Sequence, residues 1–113
     1  MEDCLFCKII AGEIPSTKIY EDNDVYAFAD IAPQAPFHAV IVPKIHIASA
    51  AEIDENNSRV VAKIYEAAAK IAKNEKLDKG FRIVTNCGED GGQTVGHLHF
   101  HLLARRYLQW PPG

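Results

Sequence analysis

The stretch His97-Leu98-His99-Phe100-His101-Leu102-Leu103 alternates an imidazole with a large apolar side chain, which is the period-2 signature of a β-strand. On a strand this alternation sends His97, His99 and His101 to one face and Leu98, Phe100 and Leu102 to the other. The apolar face packs into a core, and the imidazole face is left with a chemical use. Side chains two residues apart stand about 7 Å apart at their roots, so the histidines can converge on one substrate or share one metal ion. With an ordinary pKa of about 6.5, histidine suits the work of nucleophile, general acid and ligand in neutral water.

Just upstream, residues 86–94 read Asn-Cys-Gly-Glu-Asp-Gly-Gly-Gln-Thr. Glycines let main-chain amides approach a phosphate closely, and the amides of Asn86 and Gln93 and the Thr94 hydroxyl add neutral donors that stabilise an oxyanion without net positive charge. Alone, such a loop reads as an ordinary β-connection. Against three same-face histidines it reads as part of a phosphoryl or acyl site.

Further out, residues 81–86 and 96–104 are predicted strands on either side of that loop. Val60, Val61, Ile64, Ala67, Ala68, Ile71 and Ala72 form a stripe of period 3.6 that predicts a long helix over 58–75, ended by Lys76 to Gly80. Leu5, Phe6, Ile9 and Ile10 predict a short amphipathic helix stopped at Gly12. Strands are expected at 18–21 and 25–29 around an Asp22-Asn23-Asp24 turn, and at the buried run 39–42 before Pro43. Hairpin-length connections around most strands favour an α+β fold, an antiparallel sheet with its helices on one face.

The chain has 113 residues, 48% hydrophobic and 24% charged, which predicts a single globular domain over 1–113 with a real core. A formal net charge of −3 speaks against a general nucleic-acid or anionic-membrane surface, so any phosphate must be gripped locally. No apolar run approaches the roughly 20 residues that span a bilayer, and Met1-Glu2-Asp3-Cys4 lacks the basic start of a signal peptide, so a cytoplasmic location is expected. Three cysteines argue against a disulfide framework. Cys4-x-x-Cys7 is then weighed as a metal or redox pair, the redox reading being the weaker because no strand precedes it. Cys87 is expected to be a loop thiol.

The His-φ-His-φ-His-φ-φ pattern at 97–103 resembles the signature of the histidine triad (HIT) superfamily. The likeness runs nearly end to end. Phe6 to Pro15, Phe28 to His38, Val42-Pro-Lys-Ile-His46, Asn86 to Thr94 and Trp110-Pro-Pro-Gly113 are similar to the Hint branch, the nucleoside phosphoramidate hydrolases. The resemblance implies a five-stranded antiparallel sheet, with one long and one short helix, that pairs with its twin in a homodimer. It implies hydrolysis of purine nucleoside 5′-phosphoramidates or related nucleotide bonds, with His99 attacking phosphorus and a nucleotidyl-histidine forming and then meeting water. His101 matches the histidine that contacts the phosphate and assists proton transfer, and His38 an outer histidine that orients the triad. Asp30 matches the acid that takes the ribose hydroxyls, while Asn86, Gly92, Gln93 and Thr94 match phosphate and leaving-group contacts. Phe6, Ile9, Ile14, Phe28 and Ile31 fall where the family forms its base pocket; by composition alone they read as core.

Cys4, Cys7, His46 and His97 form a thiolate-plus-imidazole set of the kind that encloses a tetrahedral zinc, and they match a structural zinc site in bacterial triad proteins. Two rivals stay open at this point: a zinc hydrolase whose histidine cluster activates water, and a nucleotide-binding scaffold with residual activity. The resemblance places the Trp110 tail at the dimer interface. Ala104-Arg105-Arg106 stands where the Hint branch usually has Gly-Gly-Arg, and Gly96 where a bulky aromatic is common.

Overall fold

Helix α1 (Leu5–Ile10) opens the chain, followed by strands β1 (Lys18–Glu21), β2 (Val25–Ala29) and β3 (Phe37–Pro43). A 3-10 turn (Ala50–Glu52), the long helix α2 (Arg59–Asn74), and strands β4 (Phe81–Val84) and β5 (Phe100–Ala104) complete it. This computed structural model describes residues 3–113. The five strands form one antiparallel sheet in the order β1-β2-β3-β5-β4, so β5 inserts between the hairpin partner β3 and the edge strand β4.

Local chemistry accounts for the boundaries. The β1–β2 turn is closed by Asp22, whose Oδ1 accepts from the backbone N–H of Asp24 and Val25 at 2.8 and 2.9 Å. In α2 the residues Ile64, Ala67, Ala68 and Ile71 are buried, the i, i+3, i+4, i+7 pattern of a core-facing stripe. The helix exits through Lys76, which takes a left-handed φ of 56°.

The two helices lie on opposite faces of the sheet, not on one as the sequence suggested. Alternation separates the faces: Val25, Ala27, Ala39, Ile41, Phe100 and Leu102 pack beneath α2, whereas Tyr26, Phe28, Val40 and Val42 pack beneath α1 with Phe6 and Ile9. Every residue of β3 is therefore buried. The imidazoles of His38 and His101, at the remaining register positions of β3 and β5, belong to the α1 side. A six-residue amphipathic helix marks which of its own sides is apolar but not which face of the sheet it will cover, which is why this was not legible.

The last strand is also shorter than expected, starting at Phe100 in place of residue 96. The backbone N–H of Leu98 is drawn away to the Ile47 carbonyl at 2.6 Å, and the His99 carbonyl accepts from the Thr85 hydroxyl at 2.8 Å. Those bonds replace ladder pairing, and the latter also ends β4 at Val84. Side-chain alternation nonetheless survives, with Leu98, Phe100 and Leu102 buried on the α2 side. Among the described residues no helix is long and apolar enough to cross a membrane.

Candidate active site and metal centre

His99 sits at the entry to β5 under the edge of the Phe6 ring, their centroids 5.0 Å apart, and is 5% exposed. Its Nδ1 lies 2.7 Å from the His97 carbonyl oxygen. A carbonyl can only accept, so Nδ1 carries a hydrogen, and the lone pair of the neutral tautomer lies at Nε2. One backbone group thus fixes both the ring's orientation and the nitrogen left to react.

The rings of His99 and His101 meet edge to face at 5.2 Å, and behind His101 stands His38 in β3. The N–H of Gln34 donates to His38 Nδ1 at 3.0 Å. His38 must then hold its hydrogen on Nε2, which donates to His101 Nδ1 at 2.8 Å. His101 in turn carries its hydrogen on Nε2. Asp30 faces the same pair: its Oδ2 is 3.4 Å from His38 Nε2 and 3.9 Å from His101 Nδ1, while its Oδ1 accepts from the Ala32 N–H. Burial, helped by the neighbouring His99 and His38 rings, pushes the His101 pKa down to about 4 against the pull of Asp30. Burial likewise holds His38 below its ordinary value. Both rings are therefore neutral near pH 7, as a directional relay of hydrogen bonds requires.

Asp30, His38 and His101 also bring three ligating atoms within 4.8 Å of one another. The Gln34 N–H argues against a cation there. A ligating histidine normally donates its other ring N–H, whereas His38 Nδ1 accepts, so its Nε2 keeps a hydrogen where a metal would need a lone pair.

In the loop before β5, Gln93 is fully engaged. Its Oε1 accepts from the Gly88 N–H, its Nε2 donates to the carbonyls of Ala48 and Val95, and its main-chain N–H donates to Gly88. It fastens the loop to the rest of the chain. Gly91 must be glycine, because a Cβ there would run into the Cys87 backbone. Asn86 is half-buried, and Gly92 and Thr94 are exposed on the same loop. Of the apolar residues, Phe6, Ile9 and Phe28 are buried together beneath α1 with Ile14 half-buried against them. Ile31 differs, standing fully exposed beside Asp30.

A second cluster lies behind Phe6. Cys4, at the N-cap of α1, places its Sγ 3.2 Å from His97 Nδ1, and Cys7 places its Sγ 3.5 and 3.6 Å from Nδ1 of His46 and His97. The two Nδ1 atoms are 3.2 Å apart. His97 Nε2 donates to the Pro43 carbonyl at 2.9 Å, so its Nδ1 lone pair points into the cluster, the orientation expected of a ligand with an outer-sphere acceptor. With Zn–S near 2.3 Å and Zn–N near 2.0–2.1 Å, a tetrahedron has edges of about 3.3–3.8 Å, close to the spacing found. All four ligating atoms lie within 4.8 Å of one another, and they fit a closed four-coordinate zinc site with no open position. Burial and the neighbouring Cys4 raise the Cys7 thiol, a cost that a bound divalent cation would reverse.

Sequence reasoning did not single out the groups that fix these tautomers, namely the carbonyls of His97 and Pro43 and the N–H of Gln34. They are main-chain atoms, so residue type carries no signal for them.

An antiparallel sheet bearing a lone-pair histidine, a two-histidine relay and a glycine-rich loop defines a histidine-triad protein. The HIT domain family matches residues 11–108, and the chain belongs to that family. It is similar to a crystal structure described as a HIT family hydrolase from Legionella pneumophila Philadelphia 1, at 48% identity and a TM-score of 0.95, covering 98% of this chain and 100% of that one. A relative named 14 kDa zinc-binding protein, from Brassica juncea, is 44% identical over 113 residues, 98% of this chain and 100% of its own length. Another, from Arabidopsis thaliana and named adenylylsulfatase HINT1, is 42% identical over 111 residues, covering 96% of this chain and 76% of its own length.

Proposed function

We propose that this protein is a hydrolase of purine nucleoside 5′-phosphoramidates that works through a nucleotidyl-histidine on His99. The observation that carries the proposal is the His99 Nδ1–H bond to the His97 carbonyl, which leaves Nε2 as a fixed nucleophile. Nε2 forms a bond to the α-phosphorus as the P–N bond breaks, and His101, donating from Nε2, assists proton transfer to the departing amine. Water then attacks phosphorus, and the electron pair of the P–Nε2 bond returns to His99. Over the two steps one water supplies the hydroxyl on phosphorus and the proton on the amine. His38 holds His101 in the required tautomer. Asp30 takes the ribose, Asn86, Gly92 and Thr94 hold the phosphate, Gln93 keeps their loop in shape, and Ile31 offers the base an apolar wall. The hydrolase and adenylylsulfatase names of similar proteins support nucleotide chemistry.

On this proposal residues 1–113 form one HIT domain, and Cys4, Cys7, His46 and His97 hold a structural zinc, supported by the tetrahedral fit and by the name of the Brassica relative. Zinc would supply no chemistry to the reaction, since four protein ligands close its coordination shell. A homodimer is supported by the open edge of β4, where Phe81 is 44% exposed, and by the exposed Tyr107 and Trp110 of the tail beside it. A cytoplasmic home would keep Cys4 and Cys7 reduced, as the proposed zinc site requires. Alkali-quenched mass spectrometry with adenosine 5′-phosphoramidate, which preserves a P–N bond to imidazole, tests the reaction: an adenylyl adduct on His99 is expected, and turnover without any such adduct would overturn the covalent route.

A further inference from the structure

The His38–His101 relay depends on a single main-chain donor, the N–H of Gln34, in a loop closed at its base by the Asp30 N–H donating to the His38 carbonyl at 3.0 Å. Within the loop, the Gln34 side-chain amide donates to the Ala32 carbonyl at 2.9 Å, and Ala32 is held by Asp30, so these bonds tie the loop only to itself. From outside it, the Arg106 guanidinium donates through Nε to the Gln34 carbonyl at 2.9 Å. Arg106 is placed to do so by its neighbour. Arg105 turns the chain out of β5 with a left-handed φ of 74°, and its own guanidinium donates to the Glu75 carbonyl at the end of α2 and lies over the Phe37 ring. The corner after β5 is thereby anchored to the helix, and from that fixed corner Arg106 reaches back across the sheet. The strand that carries His101 and the loop that sets the tautomer of its partner are thus joined by one side chain.

We propose that Arg106 is a positioning residue of the relay: by holding the Gln34 carbonyl it fixes the direction of the Gln34 N–H, and so keeps the hydrogen of His38 on Nε2 and that of His101 on Nε2. Gripping the carbonyl oxygen orients the peptide plane of residues 34 and 35 and so anchors the Gln34 Cα; the Gln34 N–H, in the preceding peptide plane, hangs from that anchored Cα and is limited in how far it can move from His38. Without it His38 samples both neutral tautomers. In the wrong one Nε2 faces His101 Nδ1 as a second lone pair, and the relay breaks. The consequence for catalysis rests on the proposed hydrolysis, whereas the tautomer lock itself does not.

The test uses the full-length protein labelled with 15N, and reads the ring nitrogens of His38 and His101 by long-range 15N–1H correlation alongside steady-state kinetics with adenosine 5′-phosphoramidate. In the wild type His38 Nδ1 and His101 Nδ1 should give acceptor-type signals and both Nε2 atoms protonated ones. Arg106→Ala should shift the His38 signals toward a mixture of tautomers and lower kcat by about tenfold or more, with KM within about twofold, since misplacement acts on the reacting geometry. Arg106→Lys, which restores a donor, should recover most of both effects. Arg105→Ala loosens the corner but keeps the Arg106 guanidinium, so it should lower stability and shift the ring signals clearly less than Arg106→Ala does. Ring signals in Arg106→Ala that superimpose on wild type would overturn the proposal, as would an equal shift in Arg105→Ala. If Arg106→Ala fails to fold, Arg106→Gln reads the same signals with a shorter donor. A wild type that shows the locked tautomers, loses them in Arg106→Ala and yet leaves the phosphoramidate intact would defeat the proposed activity and leave the lock standing.

Discussion

His38 Nε2 stands 2.8 Å from His101 Nδ1, and this bond links side chains of the paired strands β3 and β5 on the face that α1 covers. Because the Gln34 N–H decides its direction, the pair behaves as an oriented dipole and not as two interchangeable rings. Replacing His38 by Ala should therefore lower kcat by about 10²-fold, within the range for a group that assists proton transfer, and change KM little. Stopped or steady-state kinetics with the phosphoramidate check this; a His38→Ala variant with wild-type kcat would remove the relay from the mechanism.

Loss of the nucleophile should be more complete. His99→Ala is expected to abolish turnover while AMP affinity, read by calorimetry, stays within about tenfold, since ground-state binding comes mainly from the loop and Asp30. Measurable turnover close to wild type in His99→Ala would mean that another group attacks phosphorus.

Acid should weaken the fold through the buried relay. His101 has a folded pKa of about 4 against an unfolded value of about 6.5, so between those values the unfolded chain binds more protons. Its contribution is complete above about pH 6.5 and is lost as pH falls toward 4, up to about 3 kcal/mol in total. His38, also held low by burial, adds a loss of the same sign. Urea midpoints from pH 7.5 to 4.5 should fall, and should fall less in His101→Asn; identical slopes in the two proteins would contradict the assignment.

Metal content provides a separate check. Purified protein is expected to carry about one zinc per chain, and Cys4→Ser with Cys7→Ser to carry none. The double variant should melt about 10 °C or more below wild type, because a ligand bound only by the folded state is lost. Its kcat, corrected for folded fraction, should stay within a few-fold of wild type. A collapse of kcat in protein that is still folded would instead favour a catalytic metal.

Much of the architecture follows from periodicities that each segment shows by itself. The α2 stripe, the β1–β2 turn and the alternation at 97–103 are local patterns, and hydrophobic burial forces each to face a core in the way its spacing dictates. The side on which α1 lands is different. Leu5–Ile10 is too short to carry a stripe that names a partner, and its position is set by Phe6 meeting His97 and His99. The shortened β5 is a contest between ladder bonds and the competing Ile47 and Thr85 partners, whose outcome depends on residues many positions away.

The same division runs through the site. Residue types and their spacing were enough to show that three imidazoles share a face, and that two thiols, with His46 and the triad's own His97, were available as ligands. Which nitrogen of each ring bears a hydrogen is settled by the folded chain alone. It does so with main-chain groups, the carbonyls of His97 and Pro43 and the N–H of Gln34, brought against the rings by strand pairing and loop closure. Every residue but proline carries both an amide hydrogen and a carbonyl, so no choice of residue type announces which one will face an imidazole. Residue identity therefore specifies the reactive groups, and long-range packing specifies their protonation.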